Sequence, residues 1–225
     1  MPPPPAVAIL DVNETLSDLS ELGDRFEQVG APRHLLRTWF AATLRDGIAL
    51  AAAGDYAEFQ DVARSVLRTL LAGVPEPTAP PEEAAEHVLA GMEALSLHPD
   101  VPPGLRALRD AGVRMATLTN GGATLAKGLL ERAGLDSMVE RTLTVGEVGR
   151  WKPAPEPYRH ACRALEVAET DAVLIAVHPW DVHGAKRAGL RGGWLNRDRG
   201  PYPEVFERPD ATGGDLPELA RALTG

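Results

Sequence analysis

The sequence predicts an α/β fold in which a parallel-sheet core carries an inserted block of helices. Three observations point there. Residues 6–10 (AVAIL) form a short apolar run ending at Asp11, residues from about 17 to 95 repeat apolar positions at helical spacing, and everything after Asp100 alternates strand-like with helical segments. Such alternation implies βαβ units and a parallel sheet.

The first run, bounded by a proline string and by a carboxylate, reads as a buried strand with a polar carboxyl end. In the helical block, LLRTWFAATL, FQDVARSVLRTLLAG and PEEAAEHVLAGMEAL place apolar residues three and four apart, and the stretch VPEPTAPPEE breaks the series. Because this block follows the first strand directly, it is expected as an insertion above the sheet, not a tandem domain. Beyond it the expected order is helix 103–112, strand 113–119, helix 122–134, strand 141–145, helix 155–168, strand 172–177, helix 182–189 and strand 192–196. The arginine-rich stretch WLNRDRGPYPEVFERPD reads as a surface return after the last strand, and no internal repeat is visible.

Composition narrows the function classes. A chain of 225 residues is long enough to bury a sizeable core without staples. A net charge of −9 argues against broad binding to nucleic acid or to an anionic membrane surface. The lone Cys162 has no disulfide partner and no metal-ligand spacing. The start lacks a basic segment followed by a long apolar run, and no stretch of about 18 apolar residues occurs, so a cytoplasmic protein is expected. Only three lysines are present, Lys127, Lys152 and Lys186, so a lysine near a candidate site stands out.

In open parallel sheets ligands bind outside the carboxyl ends of the strands. Four polar clusters fall there: residues 11–15 (DVNET), 119–122 (TNGG), Lys152-Pro153, and 178–181 (HPWD). Taken alone, TNGG reads as a turn and helix cap, and a lone Asp11 as a helix cap or surface ion-pair partner.

Together, however, DVNETL, LTNGG, WKP with Tyr158 six residues on, and VHPWDVHGA resemble, in order and over essentially the whole chain, the four motifs of the haloacid dehalogenase superfamily. They are most similar to its hydrolytic 2-haloacid dehalogenase branch. The resemblance implies a Rossmann-like core at 1–15 and 97–225 with a helical cap at 16–96. It also implies a small anionic haloacid as substrate and no metal or organic cofactor. Relatives of this family are often dimers, although no sequence feature singles out an interface here.

The resemblance assigns Asp11 as the nucleophile, Lys152 as the ammonium keeping it ionised, and Thr119 and Asn120 as hydrogen-bonding groups for the nucleophile or the substrate carboxylate. Asp181 matches the acid that orients water to hydrolyse the ester intermediate, and Tyr158 matches a site tyrosine. On the substrate side stand Val12 and Asn13 after the nucleophile, Trp180 as a cavity wall or else a core aromatic, and Phe40 and Phe59, for which packing is the plainer reading. His178 stands there too; its near-neutral titration suits a general base, although its slot matches none in the family. A silent binding protein on the same scaffold is a further alternative, since fold does not establish activity.

Departures from the motifs sharpen the choice. Phosphatases of the superfamily carry a second aspartate two residues after the nucleophile and another four residues before the last acid; these positions are Asn13 and Val177. Neither supplies a proton or a carboxylate for Mg²⁺, which argues against phosphoester hydrolysis. Against the dehalogenase pattern, Asn13 replaces a tyrosine, Ala176 a serine and His178 an asparagine. The cap arginine that accepts the halide falls at Phe40, with Arg37 and Arg45 nearby as substitutes. The other histidines, His34, His87, His98, His160 and His183, show no metal-ligand spacing.

Overall fold

A computed structural model describes residues 3–225. Its centre is a six-stranded, wholly parallel sheet in the order β3-β2-β1-β4-β5-β6. The strands are β1 (Val7–Leu10), β2 (Arg114–Thr119), β3 (Arg141–Thr144), β4 (Ala172–Ala176), β5 (Arg191–Leu195) and β6 (Ala211–Gly213). β1 is apolar throughout because it lies mid-sheet with both faces covered, pairing Val7 with Arg114 on one side and with Ala172 on the other. Strand order reverses at β1, so connections leave it in opposite directions and open a crevice above its carboxyl end.

Period-two alternation sorts side chains between two apolar layers. Ala8, Leu10, Met115, Val173 and Ile175 face one side, packed with helices α5 (Val101–Asp110), α6 (Ala123–Arg132) and α9 (Leu216–Thr224). Val7, Ile9, Ala116, Leu118 and Leu174 face the other, against α7 (Pro155–Ala164) and α8 (Pro179–Ala188).

Helices α1 (Gly23–Gln28), α2 (Leu35–Ala53), α3 (Phe59–Leu71) and α4 (Pro81–Ala90) all fall between β1 and α5. Trp39, fully buried, ties α2 to α3 by donating from Nε1 to Ala63 O at 3.0 Å. Trp151, just before Lys152, stacks on Phe59 at 5.8 Å and donates to Ala57 O at 2.9 Å, so the helical block is pinned directly beside the core lysine.

Two expectations are corrected. The chain after β5 is not only a surface return: it supplies β6 and then α9, which buries Leu216, Leu219, Ala220 and Leu223. Asp215 starts α9 as an N-cap, accepting from Glu218 N at 2.7 Å. The helix expected from 182 begins at Pro179, because proline at the first helical position loses no intrahelical bond. This moves Asp181 from a loop into the first turn of α8.

Candidate active site

The crevice above β1 collects side chains from four strand ends. Asp11 directly follows β1, Thr119 ends β2 with Asn120 next, Lys152 lies beyond β3, and Asp181 opens α8 after β4. All five are buried.

Lys152 organises them. Its Nζ donates to Asp11 Oδ1 at 2.7 Å, to Asp181 Oδ2 at 2.7 Å and to Leu118 O at 2.9 Å, which uses all three ammonium protons. Burial disfavours this charge, but the two carboxylates outweigh burial and hold Lys152 above its ordinary value. Its backbone N–H donates to Asn120 Oδ1 at 2.9 Å, which fixes the lysine's root.

The remaining carboxylate oxygens are also held. Thr15 Oγ1 donates to Asp11 Oδ2 at 2.6 Å and itself accepts from Val177 N at 3.1 Å. Tyr158 Oη donates to Asp181 Oδ1 at 2.5 Å. Burial raises the Asp181 carboxyl, Lys152 lowers it, and the Asp11 charge raises it again, leaving it above its ordinary value. Burial and the Asp181 charge keep the Tyr158 phenol protonated far above its usual range.

Thr119 Oγ1 accepts from Gly121 N at 2.8 Å, so that amide is already used. Helix α6 then starts at Ala123, after Gly122, without a side-chain cap, so no side chain takes up its first-turn N–H groups. A Cβ on Gly121 would stand 3.2 Å from Thr119 Oγ1 and 3.4 Å from Asn13 Nδ2, so the two site loops close over a backbone without a side chain. Val12, Asn13, Phe59 and Thr119 border a void of about 20 Å³ beside Gly121.

On the opposite flank, Phe40 of α2 lies 6.1 Å from the His178 ring, which stacks on Trp180 at 5.2 Å. The slot expected to hold a cap arginine is therefore aromatic. Arg45 points away and pairs with its neighbour Asp46, whereas Arg37 lines a cavity of about 530 Å³ together with His178 and Glu14. His178 Nε2 lies 3.5 Å from Glu14 Oε2 and 3.4 Å from Asn13 O.

Thr15 is the site residue that sequence reasoning left unassigned. It lies within DVNETL four positions after Asp11, and a hydroxyl in a tight turn above a strand end was the available signal.

A divalent ion does not suit this donor set. Asp11 and Asp181 each give an oxygen to one ammonium, apolar Val177 stands where a further acid would be needed, and no cluster of three His, Cys, Asp or Glu side chains occurs among the described residues.

Comparison with known proteins places the chain among its relatives. The chain is 31% identical over 133 residues to (S)-2-haloacid dehalogenase 2 of Pseudomonas sp. (strain CBS-3), covering 58% of either chain. It is 39% identical over 145 residues to a phosphoserine phosphatase of Thermus thermophilus, covering 63% of this chain and 57% of that one. The chain thus spans somewhat over half the length of these two relatives. A solved L-2-haloacid dehalogenase superposes with a TM-score of 0.89 at 26% identity, covering 99% of this chain and 100% of that one. A family model described as haloacid dehalogenase-like hydrolase matches residues 6–189, the span that carries every strand-end cluster described above, and the chain belongs to that family.

Proposed function

We propose that the protein is a hydrolytic dehalogenase of short 2-haloalkanoic acids, working through an ester on Asp11 and needing no metal. One observation carries this reading: a single buried ammonium holds both Asp11 and Asp181, and among the described residues no neighbouring acid completes a metal site.

A carboxylate oxygen of Asp11 attacks C2 of the substrate from behind, and the halide leaves with the bonding pair. Lys152 and Thr15 hold the two carboxylate oxygens of the nucleophile in place, in a crevice where Asp11 is buried. Thr119, Asn120 and the open first turn of α6 hold the substrate carboxylate. Water then attacks Cγ of Asp11 while Asp181, raised by burial and steadied by Tyr158, accepts its proton. Asp181 passes that proton to the alkoxide as the bond between Asp11 Cγ and the ester oxygen breaks. The other proton of the water is lost to solvent as the Asp11 carboxylate re-forms, and the 2-hydroxy acid departs inverted at C2 because the new C2–O bond is never broken.

The local identity to a phosphatase favours a second reading, a Mg²⁺-dependent phosphoester hydrolase; Asn13 and Val177 oppose it. Halide release that persists in EDTA, with a single turnover in H₂¹⁸O labelling Asp11 before product, supports the dehalogenase. Undiminished turnover in Asp11→Asn, or phosphate release that requires Mg²⁺ without halide release, overturns it. The same reading extends to a cytoplasmic enzyme, supported by the single buried thiol Cys162.

A further inference from the structure

We propose that Arg197, in the connection between β5 and β6, is a positioning residue that clamps the loop carrying the nucleophile's hydroxyl partner. The inference rests on the dehalogenase reading for its kinetic consequence and on geometry alone for the clamp.

The loop after Asp11 is in an unfavourable position. Glu14 adopts φ 61°, a left-handed conformation that disfavours a residue with a Cβ. This loop also borders the cavity of about 530 Å³, so on that side close packing does not support it. Thr15, the next residue, must nevertheless keep its hydroxyl 2.6 Å from Asp11 Oδ2.

Arg197 supplies the missing support across the cavity edge. Its Nη1 donates to Glu14 O at 3.1 Å and its Nη2 to Thr15 O at 2.9 Å, so one guanidinium grips two successive carbonyls. His98 Nε2 donates to the same Glu14 carbonyl at 3.1 Å. The guanidinium is itself oriented by Asp100, reached from Nε at 3.1 Å and from Nη2 at 3.1 Å. Asp100 Oδ2 also accepts from Leu216 N at 2.9 Å, where α9 begins. The clamp therefore joins the nucleophile loop, the segment returning from the helical block and the C-terminal helix. A planar fork suits these partners, because its rigidly spaced donors meet the Asp100 carboxylate side-on while the outer N–H groups reach two successive carbonyls, a layout that the single nitrogen of a lysine does not reproduce at this reach.

The chain of contacts runs from Arg197 to the Thr15 backbone, then through the Thr15 hydroxyl to Asp11. Displacing a nucleophile by about 1 Å costs on the order of 100-fold in rate. Arg197 lines the edge of the cavity beside this loop, but its guanidinium is engaged with Glu14 O, Thr15 O and Asp100, so on this proposal its loss acts on the chemical step through Thr15 more than on substrate binding.

The test uses full-length Arg197→Met, which keeps reach without donors, Arg197→Lys, and Asp100→Asn, which removes the orienting charge with little change of shape. Halide release is measured alongside amide hydrogen exchange. The expected result is a kcat loss of about 10- to 100-fold in Arg197→Met with KM within about twofold, partial recovery in Arg197→Lys, and an intermediate loss in Asp100→Asn. Exchange is expected to quicken in residues 12–17 while the β4 strand keeps wild-type protection. Wild-type kcat in Arg197→Met, or a uniform quickening that spares no strand, overturns the proposal. If Arg197→Met fails to fold, the same two readouts on Arg197→Lys and Asp100→Asn decide it. If the wild type releases no halide, the dehalogenase reading fails, and selective exchange in residues 12–17 alone decides the clamp.

Discussion

Lys152 Nζ lies 2.7 Å from Asp181 Oδ2, and both side chains are wholly removed from solvent. With Asp11 on its other side, this ammonium supplies the positive charge that lies between two buried carboxylates. Removing one partner of a buried ion pair is far more damaging than the pair's net stabilisation suggests, because the remaining charge stays desolvated.

Lys152→Met is therefore expected to destabilise the protein by about 3–5 kcal/mol at pH 7 and to abolish halide release. The penalty is expected to shrink at pH 5, because Asp181, which burial already raises, takes up a proton more readily once the ammonium is gone. Urea denaturation at both pH values checks this. A loss below about 1 kcal/mol at pH 7 would show that the carboxylates escape to water.

The directions of the pKa shifts set the pH profile. If Asp181 is the base proposed above it acts in its ionised form, and since it lies above its ordinary value of 3.8 the acid limb of kcat is expected above the usual aspartate range. Lys152 is raised in the folded state, so its contribution to stability is fully present below 10.5 and is lost only as pH rises through its still higher folded value. Rate profiles and melting curves across pH measure these limbs separately. An acid limb centred at or below 3.8 would remove Asp181 from the water-activating step.

Most of the sheet is legible in the sequence because its signals are local. AVAIL, VRMATLT and AVLIAV are short apolar runs stopped by polar residues, and all became strands. The final β6 and α9 were hidden for different reasons. Three residues, Ala211–Gly213, are too few for a periodic signal, whereas DLPELARAL does carry a cap and apolar spacing that an arginine-rich approach obscured. The meeting of Asp11, Lys152 and Asp181 follows from strand order, so ordered motifs sufficed. The grip of Arg197 on Glu14 and Thr15 spans more than 180 residues and depends on a loop conformation that no spacing encodes.

Cys162 is almost fully buried on α7, and burial pushes its thiol up to about 11. The thiolate is the reactive species, so the native protein is expected to resist a disulfide reagent at pH 8 and to react with one equivalent once unfolded. Prompt reaction of the folded chain, followed at the chromophore of the released thiol, would mean that α7 opens readily. The halide assay is expected to be indifferent to thiol reagents for the same reason.

Gly184 sits in α8 one turn after Asp181, where the site has no room for a methyl group. A Cβ there would lie 2.7 Å from Tyr158 Oη, 2.6 Å from Pro153 Cβ and 2.9 Å from Pro153 O. Alanine gains helix propensity of about 1 kcal/mol over glycine, but overpacking of this kind costs about 1–3 kcal/mol and the obstruction includes backbone that cannot swing away. Tyr158 is the atom set that can move, and moving it withdraws the 2.5 Å hydrogen bond from Asp181. Gly184→Ala is accordingly expected to lower kcat at least about 10-fold through the hydrolytic step, so that the Asp11 ester accumulates and is visible by mass spectrometry of the quenched enzyme. Tyr158→Phe in the same chain relieves the contact with Oη and recovers part of the stability, yet leaves kcat low because the donor to Asp181 is still missing. Recovery of both together would place the defect in packing and relieve Tyr158 of any part in the reaction.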